Sequence, residues 1–359
     1  MESPCEICLR RPLMNPFAKR RLGATTVELT VLGIGGASIG SLHGSVAESD
    51  ALAAIEAAYG AGARYFDTAP LYGSGLGEHR MGRILQRYRR DSFVLSTKVG
   101  RVLKPLPPGA NERTHLPDWL PFAQVYDYSF DGTLRAFDDS LQRLGLGQID
   151  IALIHDIDPL NHGLGGYRRR YHEAMEGAYP ALARLRSEGV VKAIGVGVND
   201  WRVCQRCAKA ADFDCFLLAG RYSLLEQEAL KSFLPLCERK GIAVIIGAPY
   251  NSGILARGAV RRTTHNYQAP SPQILRKVGH MEEICARHGV SLAAAALQFP
   301  LGHLAVVSVI PGVRSRSQVE LNIRLMQEAI PEDFWHELVH ERLLDAAAPI
   351  PKIKSAART

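Results

Sequence analysis

The chain is predicted to be an α/β protein, a (β/α)8 TIM barrel with an N-terminal extension and one extra C-terminal helix. Three observations lead there. Apolar, strand-like runs alternate with amphipathic helical stretches along almost the whole chain, the pattern of right-handed βαβ units. Asp67, Lys98 and His155 each end one of those runs, and Tyr72 lies in the turn beyond the first of them; reactive groups at strand ends belong to the carboxyl rim of a parallel barrel. With 359 residues and 47% hydrophobic content, the chain has enough apolar surface to fill one large core.

The elements follow in order. Residues 1–20 show no sustained period and read as an irregular extension, broken by Pro4, Pro12 and Pro16 and charged at Glu2 and Glu6, which excludes a secretory signal core. Residues 21–345 read as one barrel domain and 346–359 as a tail. Val27 to Gly35 forms the first strand, its barrel part near 31–35. Helix 49–60 then precedes strand 64–67, helix 77–89 precedes 93–98, 129–144 precedes 149–154, and 172–188 precedes 190–196. Helix 201–210 leads to 214–219, 226–240 to 242–247, and 272–288 to 304–309. The last barrel helix is 315–328, with one further helix beyond 331. Two connections, 100–128 and 248–271, exceed the usual short loop, and both leave strand ends, so both should overhang the reactive rim.

Composition excludes several classes of function. No apolar run approaches the roughly 20 residues that span a bilayer, so a cytoplasmic location and no membrane partner are expected. The net charge of +7 is scattered in pairs and triplets such as Arg168-Arg169-Arg170, without the basic and aromatic stripe of a nucleic-acid footprint. The cysteine pairs Cys5/Cys8 and Cys204/Cys207 have the spacing of half a zinc site, but the second pair lies on a helix where that spacing also gives one packed face. They read as ordinary thiols, with no metal.

Asp67, Tyr72, Lys98 and His155 taken singly are a turn, a packed ring, a solvated lysine and a core histidine. Taken jointly at successive strand ends they make an acid–base device. A lysine ammonium favours a neighbouring phenolate, a carboxylate keeps that ammonium paired, and an imidazole orients a substrate oxygen. Tyr72 would then give a proton during carbonyl reduction and accept one during alcohol oxidation.

The segment Tyr65-Phe66-Asp67-Thr68-Ala69-Pro70-Leu71-Tyr72-Gly73 with Gly77-Glu78 and Gly82, the strand Ser96-Thr97-Lys98-Val99-Gly100, and Leu144-Gly145-Leu146 through Ile149-Asp150-Ile151 to His155 resemble the aldo-keto reductase superfamily from about residue 20 to 345. The resemblance implies Asp67, Tyr72, Lys98 and His155 as catalytic residues and a nicotinamide cofactor at the barrel mouth. Asn199 would meet its carboxamide, and Tyr222, Gly312, Arg314, Gln318 and Asn322 would also bind it. Two positions depart from the wider family: Leu218 stands for a glutamine after strand six, and Gly247 for an aromatic after strand seven. Where members that prefer NADPH carry cations for the ribose phosphate, this chain has Gly312, Val313 and Gln318, which favours NAD; Arg314 keeps NADP possible.

Asp127-Tyr128-Ser129-Phe130-Asp131-Gly132, His155-Asp156-Ile157-Asp158, Gly220-Arg221-Tyr222-Ser223-Leu224-Leu225-Glu226-Gln227 and Pro249-Tyr250-Asn251-Ser252-Gly253-Ile254-Leu255 resemble the branch of bacterial aldose 1-dehydrogenases, with pyridoxal 4-dehydrogenase and plant L-galactose dehydrogenase nearby. That branch implies oxidation of the anomeric hydroxyl of an aldose, such as L-fucose or a D-threo-aldose, to the lactone. Tyr128, Asp156 and Asn251 are the substrate candidates, with Tyr126, Asp158 and Arg221 as further polar groups near the mouth. The partners expected are a small sugar or aldehyde and, at most, a small homo-oligomer. The alternatives are oxidation of pyridoxal, general aldehyde or ketone reduction, and a nucleotide-sensing regulatory subunit. A metal-dependent barrel hydrolase would need more converging ligands than His155, Asp156 and Asp158 provide.

Overall fold

A short antiparallel hairpin, β1 (Lys19–Arg21) with β2 (Glu28–Thr30), opens the computed structural model, which describes residues 13–107 and 118–351. β1 therefore begins inside the segment that reads as irregular. Leu22, Val27 and Leu29 of this hairpin are buried with Ile151, Ala193, Cys215 and Ala243, which are the first residues of four barrel strands. The hairpin thus plugs the amino end of the barrel, leaving the carboxyl end as the mouth.

The barrel comprises β3 (Ile34–Gly35), β4 (Tyr65–Asp67), β5 (Val94–Val99), β8 (Ile151–His155), β9 (Ala193–Val198), β10 (Cys215–Ala219), β11 (Ala243–Gly247) and β12 (Val306–Ile310), all parallel to their neighbours. Val309 N–H donates to Val31 O at 2.8 Å and Gly33 N–H to Val309 O at 2.9 Å, which brings the first and last strands together and closes the ring. The antiparallel pair β6 (Arg101–Pro105) and β7 (Phe122–Tyr126) lies outside it, within the long connection 100–128.

Successive strand residues point to opposite faces. Tyr65, Ile151, Leu153, Leu217 and Ile245 fill the interior, whereas Phe66, Leu95, Ile154, Phe216, Leu218 and Ile246 face the helical layer. That layer begins with α1 (Glu48–Ala61), α2 (Leu76–Leu85), α3 (Phe130–Leu144), α4 (Pro159–Glu173), α5 (Tyr179–Ser187) and α6 (Trp201–Ala210). It continues with α7 (Phe233–Lys240), α8 (Ile254–Arg257), α9 (Pro272–His288), α10 (Leu292–Gln298), α11 (Arg316–Met326) and α12 (Glu332–His340). The helix expected over 172–188 is two pieces: α4 starts much earlier, bends at Gly163, and meets α5 through a π turn. α12 is the extra C-terminal helix. Its Phe334 and Trp335 are buried, Trp335 against Phe299 with ring centres 6.3 Å apart, and burying such a ring stabilises the helix by roughly 2–3 kcal/mol.

α2 and α3 approach closely. A Cβ at Gly82 would lie 1.9 Å from Leu144 O, so only glycine permits the contact. Beside it the wholly buried Glu78 accepts from Arg143 Nε at 2.5 Å and from Thr97 Oγ1 at 2.7 Å, tying both helices to β5. Cys204 and Cys207 pack into the core from α6, their thiols pushed up by burial; Cys5 and Cys8 lie outside the described residues. Among the described residues no helix is long and apolar enough to cross a membrane.

Candidate active site

Strand register decides what meets at the mouth. Asp67 pairs with Ser96, Lys98 with Leu153, and His155 with Gly197. Because Tyr65, Ile151 and Leu153 point inward, the two-residue period points Asp67, Lys98 and His155 inward at the carboxyl ends of three consecutive strands. Tyr72 reaches the same place from the β4–α2 turn. All four side chains are buried.

Lys98 Nζ donates to Asp67 Oδ2 at 2.7 Å and to Thr68 O at 2.9 Å. The other carboxylate oxygen of Asp67 accepts from Ser96 Oγ at 2.7 Å, and Ser96 Oγ in turn lies 3.0 Å from Tyr65 OH. The Lys98 ammonium stands 4.9 Å from the centre of the Tyr72 ring. His155 meets the Tyr72 ring edge-on, at 6.2 Å between centres and 89° between planes.

Burial pushes the Tyr72 hydroxyl up to about 12, Lys98 opposes that rise, and Asp67 adds to it. The ammonium therefore acts as the sequence suggests, but desolvation outweighs it and the phenol is protonated at neutral pH. Burial would also lower the Lys98 ammonium, yet Asp67 and Tyr72 together hold it above its ordinary value, so it stays charged. Burial drives His155 well below the usual imidazole range, helped by Lys98 and Arg101, so the ring is neutral.

A second polar group adjoins the first. Asp156 follows His155 in left-handed backbone, φ 55°, with its N–H bound to Gly197 O at 3.0 Å. Its carboxylate pairs with Arg101 through one oxygen and lies 3.4 Å from His155 Nε2 through the other. Burial pushes Asp156 up to about 6 against the pull of Arg101. Arg101, which the sequence reading passed over, opens β6 directly after the lysine strand. The signal available was an arginine following a strand-end glycine: Gly100 has φ +97°, and a Cβ there would meet Tyr128 Cε1 at 2.2 Å.

The other candidates separate. Tyr128 OH donates to His155 O at 2.7 Å and so braces the turn behind the histidine. Asn251 accepts from Ser223 Oγ and donates to Gly220 O at 3.0 Å, joining two loops. Asp158 caps α4 and accepts from Asn199 N–H at 2.9 Å, and Arg221 is held by Asn266. Tyr222 is fully buried against Phe299 and His303. Leu218 also faces that layer, so the residue of β10 that looks into the mouth is Ala219.

Gly312, Arg314, Gln318 and Asn322 gather along the connection from β12 into α11. Arg314 N–H donates to Gln318 Oε1 at 2.8 Å, its guanidinium binds His43 O, and Asn322 Oδ1 accepts from Tyr250 OH at 2.7 Å. Asn199 Nδ2 donates to Ala219 O at 3.2 Å. Gly197, next to the end of β9, and Ala219 and Gly247, which end β10 and β11, carry little or no side chain and leave room for a flat ring such as nicotinamide; a Cβ at Gly197 would stand 3.3 Å from Lys98 Cε.

The model of the aldo/keto reductase family matches residues 31–340. Pyridoxal 4-dehydrogenase of Microbacterium luteolum is 42% identical over 338 residues, covering 91% of this chain and 98% of that protein. D-threo-aldose 1-dehydrogenase of a Pseudomonas species is 37% identical, covering 89% and 96%. Among solved structures, the glycerol dehydrogenase of Gluconobacter oxydans superposes with a TM-score of 0.70 at 20% identity, covering 95% of this chain and 99% of that one, a likeness of fold. Eight parallel strands closed into a barrel, the buried Asp67, Tyr72, Lys98 and His155 at its mouth, and these matches together make the chain a member of the aldo/keto reductase family, an oxidoreductase family that works with nicotinamide cofactors.

Proposed function

We propose that the protein oxidises the anomeric hydroxyl of an aldose, such as L-fucose or a D-threo-aldose, to the lactone. The observation that carries this reading is the Lys98 ammonium held between Asp67 at 2.7 Å and the Tyr72 ring at 4.9 Å, beside a neutral His155. A bound nicotinamide supplies the hydride acceptor. Tyr72 takes the proton of the substrate hydroxyl as general base, and Lys98 stabilises the phenolate that does so. His155, uncharged, holds the reacting oxygen by a hydrogen bond. Asp67 keeps Lys98 charged and fixed. Because Tyr72 is mostly protonated at neutral pH, oxidation depends on the minor phenolate fraction and accelerates as pH rises.

NAD is the proposed cofactor over NADP. Gly312, Val313 and Gln318 offer no cation to a ribose phosphate, and the Arg314 guanidinium is engaged by His43 O. The protein is proposed to act in the cytoplasm as a monomer or small homo-oligomer. Pyridoxal is the second reading, favoured by the 42% identity of the pyridoxal relative. Its aldehyde and neighbouring hydroxymethyl group close to a cyclic hemiacetal, the same functional group as an aldose C1.

The test is formation of reduced cofactor by the purified protein with NAD or NADP and L-fucose, a D-threo-aldose or pyridoxal. Lactone from a sugar with NAD is the result expected. Preference for pyridoxal would select the second reading, and nucleotide binding without turnover of any of them would leave only a sensing role.

A further inference from the structure

We propose that Asp156 and Arg101 form a recognition site for the hydroxyl on the carbon next to the reacting one, Asp156 accepting its proton in a hydrogen bond and Arg101 donating to its oxygen. The inference deepens the lactol oxidation proposed above and rests on it.

The site is built and buried. Asp156 is 5% exposed and Arg101 7%, although neither packs in the barrel core. Asp156 is held in left-handed backbone, which carries a steric cost for a residue other than glycine and is retained where its surroundings demand it. Tyr128 fastens the carbonyls on both sides of that turn, at 2.7 Å for His155 O and 3.4 Å for Asp156 O. Arg101 is brought in by the β6–β7 hairpin and lies over the Tyr126 ring, 4.4 Å from its centre, with one terminal nitrogen 3.3 Å from Gln124 Oε1.

Hydrogen-bonding capacity remains in this cluster. Arg101 Nε and His155 Nδ1 are buried with no partner among the described residues. A buried donor without an acceptor is costly, which points to a group that completes the pattern. The geometry says where that group sits. Asp156 Oδ1 is 3.4 Å from His155 Nε2. If the reacting oxygen is bound by that imidazole, the next acceptor along lies within hydrogen-bond distance of an oxygen on the neighbouring carbon, as in a vicinal diol. His155 bridges the two sites, 6.2 Å from the Tyr72 ring centre on one side and 3.4 Å from Asp156 Oδ1 on the other, so they are adjacent. A carboxylate beside a guanidinium gives one acceptor and one donor at the same place, which matches a hydroxyl.

The ligand class that follows is a lactol with a free hydroxyl on the carbon adjacent to its reacting carbon. Aldoses have one at C2. The pyridoxal hemiacetal carries ring carbon without a hydroxyl there.

The experiment compares kcat/KM for L-fucose and 2-deoxy-L-fucose, first with the unaltered protein. A charged hydrogen bond predicts a loss of about 10- to 100-fold for the deoxy sugar. Asp156→Asn then tests the acceptor; asparagine tolerates left-handed backbone, so the turn survives, and circular dichroism checks it. In that variant the ratio between the sugars should shrink to within a few-fold, through loss on L-fucose rather than gain on the deoxy sugar. Arg101→Gln should shrink it in the same sense. A merely structural role would lower both sugars alike and leave the ratio unmoved. Equal rates for the two sugars in the unaltered protein, or an undiminished ratio in Asp156→Asn, would overturn the inference and leave the lactol reading standing. Absence of turnover with every lactol would overturn that reading and this inference together.

Discussion

Removing the Lys98 ammonium isolates its effect on Tyr72. The cation lies 4.9 Å from the phenol ring centre in a site with 1% exposure of the lysine. At an effective dielectric constant of about 20 the interaction at that separation is worth about 3.4 kcal/mol, equivalent to about 2.5 pH units on the tyrosine. Lys98→Met should therefore raise Tyr72 further above its already elevated value. Oxidation in both proteins climbs with pH as the phenolate fraction grows, and the variant's line should run parallel but lower. The displacement is about 300-fold in kcat/KM if the proton has scarcely moved in the transition state, so that the phenolate charge persists there, and about 20-fold if transfer is halfway. The variant also leaves Asp67 buried without its cation, which destabilises the fold by about 3 kcal/mol. Asp67→Asn combined with Lys98→Met separates the two effects, since it removes both charges. The double variant should regain stability in urea titration and recover only part of the rate, because Asp67 raises the tyrosine by less than Lys98 lowers it. The measurement is kcat/KM for oxidation, followed by reduced-cofactor absorbance across the alkaline range. Superimposable profiles for Lys98→Met and the unaltered protein, or full recovery of rate in the double variant, would refute the electrostatic account.

Tyr72→Phe keeps the ring and removes the proton acceptor, so cofactor affinity by fluorescence titration should hold while turnover falls by about 100-fold or more; turnover within a few-fold of normal would remove Tyr72 from its role. Gly82→Ala, which would stabilise an exposed helix, should here cost about 2 kcal/mol or more in chemical denaturation, because the new methyl group meets Leu144 O at 1.9 Å. On the acid side, kcat/KM should decline below pH about 6 as Asp156 gains a proton, and Asp156→Asn should lack that limb. Among its neighbours, burial holds His155 well below the usual imidazole range, and Lys98 and Arg101 are held above theirs, so a limb that persists in the variant would contradict the assignment.

The barrel was legible because its signal is periodic and repeated. Helix 201–210 coincides with α6 and 272–288 with α9, where apolar spacing and caps agree, as with Ser271 accepting from Ile274 N–H at the start of α9. What escaped the sequence reading lacks that regularity. α4 holds Gly163, Gly165 and Gly166 and leaves Leu160 and Leu164 exposed, so it has no clean apolar face. β6 and β7 are paired to each other outside the barrel, and Arg101, Lys104 and Pro105 of β6 hide an alternation that has little core to face. Asp67, Tyr72, Lys98 and His155 stood out because three of them share one face of adjacent strands. Tyr128 and Asn251 could not be sorted from ligand contacts by type, since a loop phenol or amide serves equally well to satisfy backbone and side-chain groups of its own chain. Leu218 shows how much rests on parity, as a displacement by one residue turns a mouth position into a contact with helices.

The hairpin that carries Arg101 has a consequence for how such an enzyme changes over time. Asp67, Lys98 and His155 are mounted on strands bonded on both sides, where an insertion would break the ring. Arg101 arrives on a ribbon paired only with itself. Lengthening, shortening or rewriting that ribbon alters what the mouth admits without disturbing the machinery beneath it, so selectivity and rate can be tuned by separate mutations, in nature or at the bench.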